Sequence, residues 1–216
     1  HLLETIPDNP VTHHIEPFTS LDWVVAVVIN LAWGLNLVAI KLSVTHIGPL
    51  TAAALRQAIV LVICLLALRI VKGQMLVKGQ MRGLLTLGIL SGGIFYTVTN
   101  YAINLADNVA SIAIAGQLGV PFSILLGVII LKESVGLWRV IGISLSLTGV
   151  FLLVFQPSSN NSNNDLIALA LIALSSLIWS ICSLLQRRLI GVSVLTSYFW
   201  IGLGGVVVLL PLAALV

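Results

Sequence analysis

The chain has 216 residues, of which 59% are hydrophobic and only 8% are charged, and its mean hydropathy is +1.14. Soluble domains carry about 25% charged residues, so this composition excludes an ordinary soluble globular protein. The formal net charge of +3 is small, and its carriers lie at the ends of apolar runs, which argues against a nucleic-acid-binding face. The composition therefore predicts an all-α polytopic membrane protein.

Residues 1–20 are acidic, proline-containing and aperiodic, and they lack the basic start and apolar core of a signal peptide. We expect this segment to be a flexible tail. Because the chain begins with His1 rather than Met, and ends at Val216 within an apolar run, we also expect it to be a fragment of a longer protein.

The rest of the chain is predicted to form seven membrane spans, since about 20 apolar residues of helix cross the hydrocarbon core. The approximate boundaries are 23–40, 49–68, 83–106, 108–131, 135–155, 166–186 and 194–216. The breaks around the fourth span are so short that the third, fourth and fifth spans must be antiparallel neighbours. Pro121 lies in the middle of the fourth span and predicts a kink, because proline lacks the N–H that an interior helical residue donates. Residues 156–165 (QPSSNNSNND) predict a polar linker.

The distribution of Lys and Arg predicts the orientation, because cytoplasmic loops are enriched in basic residues. The loops on one side of the predicted membrane contain eight of them, and the opposite side contains only Lys41. We therefore expect the N-terminus to be cytoplasmic and the linker to be external.

Small residues predict close helix contacts in two places, at Gly88 and Gly92 in the third span and at Gly142, Ser146 and Gly149 in the fifth.

A weak internal repeat relates the segment around Trp33 to the segment around Trp179. When the two tryptophans are aligned, Lys41 also falls on Arg187. Five spans separate the two copies, and because five is odd the second copy is inverted in the membrane. Inverted repeats of this kind are typical of secondary transporters.

Polar side chains in a bilayer usually face the bundle interior or a water-filled cavity. At 3.6 residues per turn, four spans each present a polar or aromatic stripe. The residues predicted to line a substrate cavity are Asn30, Trp33, Tyr96, Thr97, Asn100, Asn104, Gln117, Trp179 and Ser183. The alternative is that such groups only bridge neighbouring helices. Both interpretations stay open for the serines of the sixth span, whereas Tyr96, Asn100 and Asn104 on one stripe favour a cavity.

Arg56 lies inside the second span, roughly 10 Å from its outer end at 1.5 Å per residue, and Lys41 lies near the outer end of the first. Two interpretations stay open for this pair of cations. They could give an outer vestibule a positive potential that favours anionic substrates. Alternatively, they could snorkel, with their charged ends at the membrane surface, and only anchor their helices.

Cys64 and Cys182 are isolated in apolar runs, so neither a metal site nor another cofactor is predicted.

The chain resembles the drug/metabolite transporter superfamily, and within it the EamA type. The resemblance rests on AWGLNLVAIKLSV at 32–44, on LTAAALRQ at 50–57, and on residues 100–153 with their frame of Pro121, Glu133, Gly142 and Gly149. It implies ten spans in two inverted five-helix repeats, with both termini cytoplasmic and a central cavity between the repeats. In that arrangement 21–155 is the first repeat, 156–165 the external linker and 166–216 the start of a second, truncated repeat.

The resemblance also implies the function, namely a secondary transporter, of efflux or permease type, for small organic metabolites. The alternative is an uncoupled channel or facilitator for small solutes. An enzyme is not expected, because the spans contain neither a nucleophile beside a base nor paired acids. The expected partners are a small-molecule substrate, the lipid bilayer and a second copy of the chain in a homodimer, without nucleic acid. The expected location is a bacterial inner or plasma membrane.

Overall fold

The structure is a computed structural model, and it describes residues 19–132, 136–154 and 163–215. Within these ranges every regular element is a helix and there is no strand. This is the all-α polytopic architecture predicted from composition, because a backbone in a bilayer must satisfy its own hydrogen bonds. The chain divides into two compact units, His1–Asn36 and Leu37–Val216, which are described separately. The predicted tail lies almost wholly outside the described residues, as does most of the linker.

We number the α-helices in chain order and name the one π-helical element among the described residues the π segment. The elements are α1 Ser20–Ile47, α2 Pro49–Ile70, α3 Met81–Leu87, the π segment Gly88–Phe95, α4 Tyr96–Leu105, α5 Val109–Gly116, α6 Gly119–Leu131, α7 Leu137–Val154, α8 Asn163–Arg188 and α9 Val194–Ala214. Six stretches of the described chain are long and apolar enough to cross a membrane. The fifth predicted span corresponds to α7, whose apolar part, Leu137–Leu152, is shorter than the other six.

In the first unit, α1 begins where Thr19 and Asp22 cap each other. The Asp22 carboxylate accepts bonds from the Thr19 N–H at 2.8 Å and from its hydroxyl at 2.7 Å. In return the Asp22 N–H donates to Thr19 Oγ1 at 3.3 Å. This reciprocal arrangement satisfies backbone donors that the first turn of a helix leaves free, and it sets the start of α1.

The third predicted span is not one continuous α-helix, because the π segment separates α3 from α4. In a π-helix each N–H bonds to the carbonyl five residues earlier, and such segments are rare and often occur at functional sites. The π segment has the sequence GILSGGIF, and its three glycines weaken the local preference for an α-helix. The sequence patterns did not predict this change of helix type.

The fourth predicted span is interrupted between Gly116 and Gly119, close to where Pro121 predicts a kink. Proline has no N–H to donate to the carbonyl of Gln117, four residues earlier. That carbonyl instead accepts from the N–H of Val120 at 3.1 Å. The two helices α5 and α6 therefore form one interrupted span.

Three clusters of buried apolar side chains hold the second unit together. The first surrounds Ile103 and Ile172, the second surrounds Leu87 and Trp200, and the third joins α2 to α9 around Leu209. Together they connect the end of α1 and the helices α2, α3, α4, α5, α8 and α9. Burial is concentrated where these helices face one another, as expected when lipid covers the outside of a bundle.

The tightest contact in this unit is between the π segment and α9. A Cβ added at Gly88 would lie 2.6 Å from the carbonyl oxygen of Trp200. A Cβ added at Gly92 would lie 2.6 Å from the N atom of Gly205 and would overlap the carbonyl oxygen of Ile201. The contact predicted from Gly88 and Gly92 is therefore present, and it depends on backbones that approach without side chains between them.

The small residues of α7 differ from this pattern. A Cβ added at Gly142 or Gly149 would meet nothing within 4 Å among the described residues. The close contact expected at the fifth span is therefore absent from the described part of the chain.

Gln57 is the largest polar side chain fully buried in the second unit. It is 1% exposed, and neither its amide nitrogen nor its amide oxygen has a hydrogen-bond partner among the described residues. The side chain lies against α9, since a Cβ added at Gly205 would be 2.5 Å from Gln57 Cγ. An unsatisfied buried polar group costs about 1–3 kcal/mol, so Gln57 lowers the stability of this packing.

The Gly92→Ala variant should be less stable than the wild-type protein, by about 1–3 kcal/mol, because the new methyl group overlaps backbone atoms of α9. Thermal unfolding in detergent measures the change. The Gly142→Ala variant is the matched control and should unfold at or above the wild-type temperature, since alanine favours a helix and the site is open. Equal unfolding temperatures for the two variants would contradict the close contact.

The Gln57→Met variant should be more stable than the wild-type protein by about 1–3 kcal/mol, because a side chain of similar shape replaces an unpaired amide. The same thermal assay applies, with Gln74→Met in the exposed loop before α3 as the control. A fall in stability would mean that the Gln57 amide is partnered in the folded protein.

Candidate functional site

An arginine and three aromatic rings form a continuous cluster across the second unit. The rings of Phe95 and Trp179 are 5.2 Å apart, and those of Phe95 and Tyr96 are 5.1 Å apart with an edge-to-face angle of 74°. The Cζ atom of Arg56 lies 5.0 Å from the centre of the Tyr96 ring. We call these four residues the Arg–aromatic cluster. It connects α2, the junction of the π segment with α4, and α8.

Small residues of α2 determine where Tyr96 lies. Ala53 and Ala54 are 0% and 2% exposed and form a buried cluster with Leu209, against which the half-buried Tyr96 packs. Because alanine leaves room at this surface, the Tyr96 ring approaches α2 closely. Arg56 follows on the same helix and extends over the ring. The structure thus brings together Tyr96, Trp179 and Arg56, three of the residues predicted to act on substrate.

The polar stripe of α4 divides into two kinds of residue. Asn100 is 2% exposed and donates to the carbonyl of Tyr96 at 2.8 Å, and Thr97 donates to the carbonyl of Gly93 at 2.8 Å. These bonds to carbonyls four residues earlier are typical of polar side chains within helices. Asn104, in contrast, borders a cavity of about 280 Å³ that also contacts Pro49 and Tyr101. Asn104 therefore borders open space.

Lys41 caps the end of α4. Its ammonium group donates to the carbonyls of Ala106 at 2.6 Å, Ile103 at 2.9 Å and Asn104 at 3.3 Å. The last carbonyls of a helix lack intrahelical partners and carry partial negative charge, so a cation is stabilising there. Lysine has three donors, and these contacts occupy all of them. Lys41 thus has a structural role, and its contribution to an outer vestibule stays a prediction.

The serines of α8 bind the interrupted fourth span. The single hydroxyl proton of Ser180 is shared between the carbonyl of Gly119 at 2.9 Å and that of Ser176, on its own helix, at 2.8 Å. Ser176 donates to the carbonyl of Gly116 at 3.3 Å. The Gly116 carbonyl lies at the interruption, where the N–H four residues later, that of Val120, donates to Gln117 instead, and Gly119 is the first residue of α6. The helix-bridging interpretation therefore holds for these two serines. Ser180 is not among the residues predicted to line the cavity, although its spacing of four residues from Ser176 is a signal for a second bond.

The other predicted site residues lie apart from the cluster or at its edge. Ser183 is half-buried and donates to the carbonyl of Trp179 at 2.9 Å. Gln117 is exposed at the interruption between α5 and α6. In the first unit, Asn30 is exposed and donates to the carbonyl of Ala26 at 2.8 Å, and Trp33 is 67% exposed. A role for these residues in binding substrate stays a prediction.

Phe95 completes the cluster and was not among the predicted site residues. On a regular α-helix, neighbouring residues point about 100° apart, so the Tyr96 stripe would exclude Phe95. Phe95 is the last residue of the π segment, and its ring contacts both Tyr96 and Trp179. The only sequence signal for the π segment is its glycine content, and that signal is weak.

Comparison with known proteins identifies the family. The model of the EamA-like transporter family matches residues 22–155, which is more than half of the chain. The chain belongs to the EamA-like transporter family. The match includes Arg56, Phe95 and Tyr96, whereas Trp179 lies beyond it.

This EamA-like chain is also similar to an uncharacterized transporter of Archaeoglobus fulgidus. The two are 30% identical over 140 residues, which cover 64% of this chain and 49% of the relative. The chain thus spans about half the length of the curated relative that it matches. Family membership and the apolar helices together make the EamA-like chain an integral, multi-pass membrane protein.

The Lys41→Met variant should lose at least about 1.5 kcal/mol of stability, the value of one hydrogen bond to a charged group, because three carbonyls at the end of α4 lose their donor. Thermal unfolding of the protein in detergent is the measurement. The control is Lys78→Met, which removes an exposed lysine from the loop before α3 and should leave stability unchanged. An unaltered unfolding temperature for Lys41→Met would contradict the capping role.

Proposed function

We propose that this chain supplies the first five-helix repeat, and the beginning of an inverted second repeat, of a secondary transporter. The transporter exports small organic metabolites through a central cavity between the repeats. Membership of the EamA-like family and the similarity to a protein named as a transporter support this function. The basic loops support an orientation with the N-terminus in the cytoplasm, and a bacterial inner or plasma membrane is the proposed location.

The observation that carries the proposal is the Arg–aromatic cluster. Two of its elements, α2 and the π segment with α4, lie in the proposed first repeat, and α8 lies in the proposed second. The cluster therefore contains residues from both proposed repeats, between which the family resemblance implies a substrate cavity. A cation and three aromatic rings within membrane-spanning stretches exceed what packing against lipid requires.

The two interrupted spans support the same function. Transporters of the inverted-repeat type often bind substrate where membrane helices are discontinuous, because the freed backbone groups and small residues surround a polar site. Here the π segment ends at the cluster. The second interruption lies beside it, since a Cβ added at Gly119 would be 3.7 Å from Trp179 Cδ1. The π segment and the break between α5 and α6 therefore both lie next to the Arg–aromatic cluster.

Asn104 supplies the direct test of a substrate path. In a full-length protein whose native cysteines are replaced, Asn104→Cys should react with a small hydrophilic thiol reagent, because residue 104 borders the cavity. Ile129→Cys is the control on α6, where the native side chain is 71% exposed and is expected to face lipid. It should be inert, because lipid excludes the reagent. Equal inertness at both positions would contradict a water-filled path at Asn104.

Transport itself is tested by comparing the metabolites retained by cells with and without the full-length protein. The proposal predicts that a defined set of metabolites falls inside the cells and rises outside. Abolishing the ion gradients should then stop export against a concentration gradient. Movement that only equalises concentrations would favour the channel or facilitator, and an unchanged metabolite profile would contradict the transport function.

A further inference from the structure

Arg56 differs from the other intramembrane cation of the second unit. It lies seven residues after Pro49, roughly 10 Å along α2 at 1.5 Å per residue, and it is half-buried. Its guanidinium forms a cation–π contact with Tyr96 and, among the described residues, no hydrogen bond or ion pair. Lys41, in contrast, has all three donors bound to carbonyls. Arg56 therefore retains five N–H donors that the described chain does not use.

The contact with Tyr96 leaves this charge without a hydrogen-bond acceptor. A cation within a membrane helix is costly unless it reaches water, a carbonyl or an anion. The ring attracts the charge but accepts none of these N–H bonds. A snorkelling arginine would extend along its own helix to the membrane surface. Arg56 instead reaches across to a ring at the start of α4, and this placement holds the charge beside the Arg–aromatic cluster.

We propose that Arg56 binds a carboxylate on the exported metabolite, and that Tyr96 is the positioning residue that holds the guanidinium for this contact. The planar guanidinium matches a carboxylate through two parallel hydrogen bonds, which lysine cannot form. An aromatic ring against one face of the guanidinium leaves the N–H edges available. The inference rests on the proposed transport function and specifies its substrate class.

The first experiment compares the metabolite profiles of cells that carry the full-length wild-type protein, Arg56→Gln or Arg69→Gln. Arg69 is exposed at the end of α2 and provides the matched control. We expect the wild-type protein to export carboxylates, Arg56→Gln to lose that export, and Arg69→Gln to retain it. Export of only neutral or cationic metabolites would overturn the carboxylate site and leave the transport function standing. The absence of any export would instead contradict the transport function.

The second experiment measures kinetics in proteoliposomes with the most strongly exported carboxylate and its neutral carboxamide. Loss of a charge-assisted pair removes about 1.5–3 kcal/mol, so Arg56→Gln should raise the carboxylate KM by about 10-fold to 100-fold. The KM for the carboxamide should not change. Arg56→Lys should raise the carboxylate KM less, because it keeps the charge but loses the paired geometry. Tyr96→Leu should raise only the carboxylate KM, by a few fold.

These kinetics also separate binding from folding. A folding defect would lower the maximal rate for the carboxylate and the carboxamide together, in each variant, and would lower the unfolding temperature. An unchanged ratio of the carboxylate KM to the carboxamide KM in Arg56→Gln and Arg56→Lys would overturn the proposal, whatever the maximal rates are. Selective loss of the carboxylate in both variants would support it.

Discussion

The structure depends on one constraint, which is that a polar group in a bilayer must find its partner within the protein. Continuous helices satisfy this constraint for their own backbone, but helix ends and breaks leave carbonyls without helical partners. At the end of the third span, Lys41 binds the last carbonyls of α4. At the break in the fourth span, Ser176 binds the carbonyl of Gly116. Side chains from other helices thus supply partners where the backbone does not.

The same constraint separates structural polar residues from candidates for binding. Thr97, Asn100 and Ser183 each donate to the carbonyl four residues earlier, so these donors have local partners. Gln57 and Arg56 have no hydrogen-bond partner among the described residues, but they differ in burial. Gln57 is enclosed at the contact with α9, whereas Arg56 is half-buried at the cluster. Partial access and free donors are what a binding group requires, and Arg56 combines them.

The sequence predicted the fold class and most of the spans, because apolar runs of membrane length have few alternative structures. It also predicted the break near Pro121 and the close contact at Gly88 and Gly92, since both follow from the chemistry of single residues. It did not predict the π segment, because the apolar pattern of a short π-helix does not differ from that of an α-helix. It also missed Phe95, because residues next to each other in an α-helix point about 100° apart and Phe95 lies off the Tyr96 stripe. The carbonyl partners of Lys41 depend on where α4 ends in space, which periodicity along the chain does not determine.

The central claim is that the Arg–aromatic cluster contacts the transported metabolite. A structure of the full-length transporter with an exported carboxylate bound tests it most directly. The account predicts the carboxylate oxygens within hydrogen-bonding distance of the Arg56 guanidinium, with the Tyr96 ring against the guanidinium. A metabolite bound elsewhere, with Arg56 still over Tyr96 and without contact to it, would contradict the account.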